Sequence, residues 1–248
     1  MVEFSKIESD IFNLSFGRLN MTDELIDNLI IKQKIKQLNL DFIRLKIRNP
    51  NTKQIHQLHD LCKQVHLVEI LRVYVYNISY PFSINDASKQ ELFYKKVDKD
   101  DINELIFIIK NTYTDIPFGN YTSPYILNFF PVDKQLNNFI EYYKIELLKP
   151  LTNKIAYIIY NESNESIGCI ISEVINDSSY TYYVGVLEKH RNRNVLTQTI
   201  KFIKTIVEQS NLKSGFGAAR LSNIYSQKAF EKNNMDFIGY DFVYLLEI

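Results

Sequence analysis

The strongest signal in the chain is the alternation of apolar and polar positions in its C-terminal half. In order, this pattern predicts three strands joined by short polar turns, a helix, a short strand, a second helix and a final strand. These elements cover residues 154–160, 167–175, 180–186, 195–210, 214–220, 223–232 and 237–248. The apolar stripe of the first helix has spacings of three and four residues and consists of Leu196, Ile200, Ile203 and Val207.

The N-terminal half has weaker patterns of the same kind. It predicts a helix capped by Thr22, a strand within residues 38–49, a helix over 55–64 and a strand over 68–78. No repeat of fixed period is evident in the sequence. We therefore expect an α/β protein with a mixed sheet.

A polar, turn-rich stretch over residues 81–90 is the predicted linker between two domains. It separates a small α/β domain over residues 1–85 from a larger domain over residues 91–248. The larger domain is expected to begin with helices over 102–111 and 133–148, in addition to the elements described above.

Composition removes several classes of function. The formal net charge is zero, so no overall basic field indicates a nucleic-acid partner. Only seven glycines are present, without a GxGxxG or Walker loop, which argues against the glycine-rich nucleotide folds. Cys62 and Cys169 stand alone, so metal and redox chemistry are not expected. No signal peptide or apolar run of membrane length is evident, so we expect a cytoplasmic protein without a membrane partner.

A basic turn joins the strand over 180–186 to the following helix. Its sequence is Arg191-Asn192-Arg193-Asn194-Val195-Leu196. A strand that ends in such a turn can form an anion site from main-chain N–H groups at the positive end of the helix. Asparagine tolerates the positive φ that glycine usually supplies, so Asn192 and Asn194 can keep the turn. From the loop alone, an anion site and an ordinary solvated turn stay equally open.

The order of these pieces resembles the GNAT superfamily of acyl-CoA-dependent N-acyltransferases. The resemblance includes a helix after an acidic start, the meander that ends in Val184-Gly185-Val186, and a loop in the place of an Arg-x-x-Gly-x-Gly pattern. Asn223 and residues 230–235 are similar to the superfamily's Asn…Tyr-Glu-Lys-x-Gly-Phe segment. The sequence departs from the pattern where Asn194 and Leu196 replace the loop glycines and Phe230 replaces the tyrosine.

The N-terminal segment resembles a narrower group, the N-acyltransferases of dTDP-linked amino-dideoxy sugars (the dTDP-fucosamine type). Residues 7–13 resemble that group's Leu-x-Trp-Asp-Ser-x-Phe-Phe-Gly opening, and residues 61–73 resemble its Leu-x-x-x-Gly-Phe segment. The resemblance implies a GNAT fold with a smaller N-terminal α/β domain. It also implies transfer from acyl-CoA to the amine of a dTDP-linked 3- or 4-amino-dideoxyhexose, for O-antigen, capsule or another surface glycan. No metal is implied, and a homodimer is left open.

The resemblance also implies roles for individual residues. Main-chain groups of Val184 and Val186 would pair with the pantetheine arm, and the loop amides would hold the pyrophosphate. Asn223 would contact acyl-CoA near the thioester; an ordinary helix N-cap is the competing interpretation, and the two roles are compatible. Tyr225 is the candidate replacement for the missing acidic tyrosine. The catalytic candidates are therefore Asn223 and Tyr225, and the donor-binding candidates are Val184, Val186, Arg191, Asn192, Arg193, Asn194, Val195, Leu196, Asn223 and Phe230.

An aromatic stretch over residues 113–143 offers a wall for the acceptor. A nucleotide sugar requires rings that stack on its base, and the candidates are Tyr121, Tyr125, Phe129 and Phe130. Plain core packing of these rings is the competing interpretation. Two other functions stay open: a GNAT enzyme that acts on another amine, and a catalytically degenerate GNAT-fold protein that binds a ligand without turnover.

Overall fold

The computed structural model describes residues 3–4, 9, 14–21, 28–77, 91–112, 132–149 and 153–248. The helices are α1 (Asn28–Leu38), α2 (Thr52–His59), α3 (Ile102–Thr112), α4 (Val132–Leu147), α5 (Val195–Gln209) and α6 (Ile224–Lys232). The strands are β1 (Glu3–Phe4), β2 (Phe16–Met21), β3 (Phe42–Arg48), β4 (Gln64–Asn77), β5 (Phe93–Lys96), β6 (Lys154–Tyr160), β7 (Ser166–Ile175), β8 (Ser178–Val186), β9 (Ser214–Arg220) and β10 (Asp236–Glu247). Within this part of the chain, no helix is long and apolar enough to cross a membrane.

The chain divides into two compact units, each built from more than one segment. Unit 1 comprises Met1–Leu71, Ile116–Tyr142 and Gly239–Ile248, and unit 2 comprises Arg72–Asp115 and Tyr143–Ile238. Strands β4 and β10 therefore have residues in both units. The predicted linker over residues 81–90 lies outside the described residues, and the predicted domain limits stay a prediction.

The predicted elements of the C-terminal half are confirmed, each to within two residues at its ends. The predicted helix over 55–64 was wrong in its bounds, because α2 begins at Thr52 and β4 already begins at Gln64. Asn51 starts this helix with a capping box, in which its side chain accepts from the Gln54 N–H at 2.9 Å and the Gln54 side chain accepts from the Asn51 N–H at 2.9 Å. Strands β1, β2 and β5 were not predicted from the sequence. Thr22, the predicted cap, lies outside the described residues.

In unit 1 the strands follow the order β1-β2-β3-β10. Strands β2 and β3 are parallel and stay paired from Phe16↔Phe42 to Met21↔Ile47, which is the whole length of β2. Every second side chain of β3 faces the core under α1 and α2, so Ile43, Leu45 and Ile47 are completely buried. This alternation produced the predicted strand.

Unit 2 contains the meander of β5, β6, β7 and β8, with β9 parallel to β8. Helix α3 packs against β7 and β8, and α5 packs against β8 and β9. The buried face of α5 includes Val195, Ile200 and Val207, which follows from its apolar stripe. Two apolar clusters form around this helix, one with β6 and β7 and the other with β9 and α6.

The two halves of the chain repeat the same run of elements. The run β2-α1-β3-α2-β4 has the same order as β8-α5-β9-α6-β10. The last three elements of the two runs begin 172 positions apart, at Phe42 and Ser214, Thr52 and Ile224, and Gln64 and Asp236. The structure therefore contains a repeat that the residue pattern did not reveal, because core side chains of different size fill equivalent places.

Candidate functional site

Strands β8 and β9 part from each other within unit 2. They pair at four positions, from Ser178↔Ser214 to Thr181↔Gly217, but β8 continues to Val186 and β9 to Arg220. Tyr182 is an extra residue at this point, because Ile171 of β7 pairs with Tyr183 while Ser172 pairs with Thr181. Such a bulge bends a strand and releases main-chain groups from the ladder. The sheet is thus open between β8 and β9 beyond the pair Thr181↔Gly217.

The loop after β8 adopts the conformation that its asparagines were expected to allow. Asn192 has a φ of 64° and Asn194 a φ of 59°, so both are left-handed. Asn194 is the N-cap residue of α5, yet its side chain makes no capping hydrogen bond, and the first turn contains no acidic residue. The helix dipole therefore leaves a positive end at this loop that no side chain of the cap neutralises.

Leu196, which replaces a glycine of the superfamily's loop pattern, directs its side chain into the core. Its side chain packs against the cluster of α6 and β9 that contains Phe230. Val195 is buried in the other cluster, with Ile167 and Ile170. Because both side chains point into apolar clusters, they hold the first turn of α5 in place from within.

Arg191 braces the loop. Its Nε donates to the carbonyl of Val186 at 3.1 Å, and its Nη2 donates to the carbonyl of Thr112 at 3.3 Å. Arg193 is exposed, so it is the arginine of this loop that faces solvent. The side chains of Val184 and Val186 pack toward the cluster of Val195. The main chain of Val186 thus already accepts one hydrogen bond.

The opposite face of β8 carries a buried polar pair that the sequence did not indicate. The hydroxyl groups of Tyr183 and Thr112 lie 2.6 Å apart, and burial raises the pKa of Tyr183. A Cβ on Gly185 would lie 2.6 Å from the Thr112 oxygen, so glycine leaves room for the pair. The adjacent aromatic residues Tyr182 and Tyr183 stand at the bulge of β8.

Helix α6, which contains the predicted catalytic residue Tyr225, begins with an ordinary N-cap at Asn223. The Asn223 side chain accepts from the Ser226 N–H at 3.1 Å, so it is the N-cap of α6. Tyr225 lies in the first turn and is 80% exposed. Phe230 is 7% exposed and stacks on Tyr74 with ring centroids 4.9 Å apart, so it is part of the core. The roles of these residues toward a donor stay predictions.

The remaining polar residues near the loop are tied to one another. His190 is buried, with its Nε2 3.4 Å from the carboxylate of Glu165. Glu165 also pairs with Lys189, which holds the pKa of that carboxyl below its usual range. Across the described ranges, no group of three or more His, Cys, Asp or Glu side chains is arranged to hold a metal ion. The predicted acceptor residues Tyr121, Tyr125, Phe129 and Phe130 lie outside those ranges.

Comparisons with known proteins identify the fold. The sequence matches no protein-family model and no curated protein. A conserved protein of unknown function from Staphylococcus epidermidis has a TM-score of 0.60 at 12% identity, over 94% of this chain and 84% of that one.

Two solved structures that carry the same name are similar to the chain at nearly the same level. A GCN5-related N-acetyltransferase from Kribbella flavida has a TM-score of 0.57 at 10% identity, over 94% of this chain and 81% of that one. One from Sphaerobacter thermophilus has a TM-score of 0.57 at 11% identity, over 87% and 64%. The chain therefore has the fold of the GCN5-related N-acetyltransferases.

Proposed function

We propose that this protein is an acyl-CoA-dependent N-acyltransferase. The observation that carries the proposal is the parting of β8 and β9 beside the N-terminus of α5. To an extended arm, the opened strand offers main-chain groups that do not pair with β9, and the helix end offers N–H groups for an anion. Coenzyme A has both features, a pantetheine arm and a pyrophosphate. The naming of two similar structures as N-acetyltransferases supports the same reading.

The loop would hold the pyrophosphate. Asn192 and Asn194 are left-handed, and in this proposal they turn the chain so that the first amides of α5 bind the pyrophosphate, as in other anion-binding turns. Arg193 is exposed and adds a cation to that site, whereas Arg191 maintains the loop. The packing of Leu196 into the core supports a close approach of the phosphate to the main chain.

Acyl transfer from the thioester requires little acid or base catalysis from the protein. An acceptor amine must be neutral when it attacks the thioester carbonyl. The departing thiolate has a pKa near that of free cysteine, about 8.5, so it leaves without strong help from an acid. Phe230 has no proton to donate, which makes positioning and main-chain hydrogen bonds the main contributions of the protein. Asn223 is proposed to combine its N-cap role with a contact near the thioester.

The acceptor is an amine, and the narrower proposal is a dTDP-linked 3- or 4-amino-dideoxyhexose. The support for this sugar is the resemblance of residues 7–13 and 61–73 to enzymes of that group. The other candidate functions are transfer to a different amine and ligand binding by a catalytically degenerate protein. The second is favoured by Phe230, which stands in place of the superfamily's tyrosine. A panel of amine acceptors with acyl-CoA, followed by thiol release, separates these three.

Calorimetric titration with coenzyme A tests the donor site. The wild-type protein should bind CoA, and Asn194→Gly should bind it about as well, because glycine adopts the same positive φ. Asn194→Val should lose at least about tenfold in affinity, because a β-branched residue costs of order 1–3 kcal/mol in this conformation. Absence of CoA binding by the folded wild-type protein would refute the proposal. Binding without thiol release for any acceptor would leave the degenerate binding protein as the function.

A further inference from the structure

The core faces of two equivalent strands, β3 and β9, differ sharply in size. Both strands bury alternate residues. In β3 the buried positions after the first residue are Ile43, Leu45 and Ile47, each completely inaccessible. With the spacing of 172 residues, the corresponding positions in β9 are Gly215, Gly217 and Ala219. Unit 2 therefore has far less side-chain volume at this place of the sheet than unit 1.

The missing volume is only partly refilled. Phe230 of α6 reaches over Gly217, where an added Cβ would lie 2.6 Å from its ring. Beside this ring a small apolar cavity remains, with a volume of about 20 Å³ inside about 280 Å³ of empty space that includes its open mouth. The residues that line it are Tyr76, Thr181, Ile200, Ile203, Lys204, Val207, Gly215, Phe216, Gly217, Phe230 and Met235.

The cavity lies at the point where the strands part. Thr181 and Gly217 form the last pair of the β8–β9 ladder, and both line the cavity. An arm that followed the open edge of β8 from the loop at Asn194 toward this pair would bring its far end to the cavity. The cavity is thus placed for the group at the end of the arm, which in the proposed function is the acyl group.

The amine of Lys204 and the hydroxyl of Tyr76, which line the cavity, already have hydrogen-bond partners. Lys204 donates a hydrogen bond to the carbonyl of Asn233, with its Nζ 4.1 Å from the centre of the Tyr76 ring. The Tyr76 hydroxyl donates to Glu208. The surface that faces the cavity is almost entirely apolar. This favours an aliphatic chain over one that ends in a carboxylate or an amide.

We propose that this cavity binds the end of the donor's acyl chain and that the protein transfers a short aliphatic acyl group longer than acetyl in preference to acetyl. The inference rests on the proposed function. In the transfer, the amine nitrogen forms a bond to the thioester carbonyl carbon and the C–S bond breaks. The electron pair of that bond leaves with the sulfur as a thiolate, and the surplus proton of the amine passes to water.

Calorimetry with a series of thioesters tests the inference without an acceptor. The probes are free CoA and acetyl-, propionyl-, butyryl- and octanoyl-CoA. Burial of one methylene is worth about 0.8 kcal/mol, which corresponds to about fourfold in affinity. We expect affinity to rise about fourfold with each methylene up to butyryl and to stop rising before octanoyl. Equal affinity for acetyl- and butyryl-CoA would overturn the inference.

Variants of Ile203 sharpen the test. Ile203→Phe should fill the cavity and make the series flat, and Ile203→Ala should move the best chain to a longer one. Ile206, half-buried on the same helix but outside the cavity, supplies the matched controls Ile206→Phe and Ile206→Ala, which should leave the series unchanged. If neither free CoA nor any thioester binds, the proposed function falls together with the inference. If all thioesters bind with the affinity of acetyl-CoA, only the inference falls.

Discussion

The two β-α-β-α-β segments of this chain use the same elements but treat their parallel strands differently. In the first segment β2 and β3 stay paired along all six residues of β2. In the second segment β8 and β9 pair at four positions and then part, although β8 has nine residues. A closed pair satisfies its main-chain groups internally, whereas an opened pair offers them to a ligand. The difference identifies unit 2 as the place of the candidate site.

Features that the two segments share are structural. Asn51 and Asn223 are 172 positions apart, and each caps its helix through its side chain. Leu58 and Phe230 have the same spacing and are both buried. Asn223 and Phe230 therefore have a reason to be present that is independent of any donor. The left-handed loop asparagines and the glycines of β9 belong to the second segment and carry the functional argument.

The largest effect on stability is expected in the first segment, called the closed segment because β2 and β3 stay paired; the second is called the opened segment. Leu45→Ala removes a completely buried side chain from the core of unit 1 and should lower the free energy of unfolding by about 3 kcal/mol. Leu67→Ala is the control, since Leu67 is 52% exposed and its loss should cost less than about 0.5 kcal/mol. Denaturant unfolding measures both. Equal costs would mean that β3 is not packed as described.

In the opened segment, Gly217→Ala should cost about 1–3 kcal/mol, because the added Cβ would lie 2.6 Å from the Phe230 ring. The double variant with Phe230→Leu has the smaller side chain that occurs at Leu58 and should recover most of the loss. The same unfolding experiment measures this. A double variant as unstable as the single one would separate Gly217 from Phe230 and break the comparison.

Lys204 gives α5 a pH dependence. The described buried residues of α1 are Ile31 and Ile35, whereas α5 buries Lys204, and this burial lowers the pKa of Lys204 from 10.5 to about 8. Glu208 and Asp236 raise this pKa and Lys201 lowers it, but burial dominates. Between pH 8 and 10 the unfolded chain holds the Lys204 proton that the folded protein has released, so the contribution of Lys204 to the free energy of unfolding should rise with pH by about 2 kcal/mol.

The variant Lys204→Met isolates this contribution. It lacks the titrating amine, so the difference in unfolding free energy between wild type and variant should change by that amount over the same range. Measurements stay below pH 10, because the pKa of Tyr76, raised to about 12 by burial and by Glu208, adds an opposite slope above it. A difference that is independent of pH would show that Lys204 stays protonated.

The smallest effect on stability is expected from removing the N-cap side chains of α2 and α6. Asn51→Ala and Asn223→Ala should each cost about 1 kcal/mol, because each removes one capping hydrogen bond. Only Asn223→Ala should also slow acyl transfer, and Asn223→Asp, which keeps the cap, separates the two contributions. Turnover and unfolding are measured on the same preparations. Unchanged turnover in Asn223→Ala would make Asn223 a cap and nothing more.

The sequence predicted the second segment better than the first. Alternation of apolar and polar residues predicted β6 and its neighbours in the meander, and the tolerance of asparagine for positive φ predicted the turn at Asn192 and Asn194. The short edge strand β5 was missed, because four residues give too little alternation to recognise. The helix α2 was misplaced, because its capping box at Asn51 was not recognised.

The site itself was only partly visible in the sequence. The divergence of β8 from β9 depends on the pairing of residues far apart in the chain, which no local pattern contains. The cavity depends on Gly215 and Gly217 being equivalent to Ile43 and Leu45, and this equivalence appears only when the two segments are compared element by element. The direction of the Leu196 side chain likewise depends on tertiary packing.

Hydrogen exchange with and without coenzyme A tests the central contrast most directly, because it reports on both segments in one sample. If the opened segment is the donor site, CoA should slow the exchange of amides within residues 183–198 and leave residues 16–21 and 42–48 of the closed segment unchanged. Protection confined to the closed segment, or no protection at residues 183–198 under saturating CoA, would contradict this account.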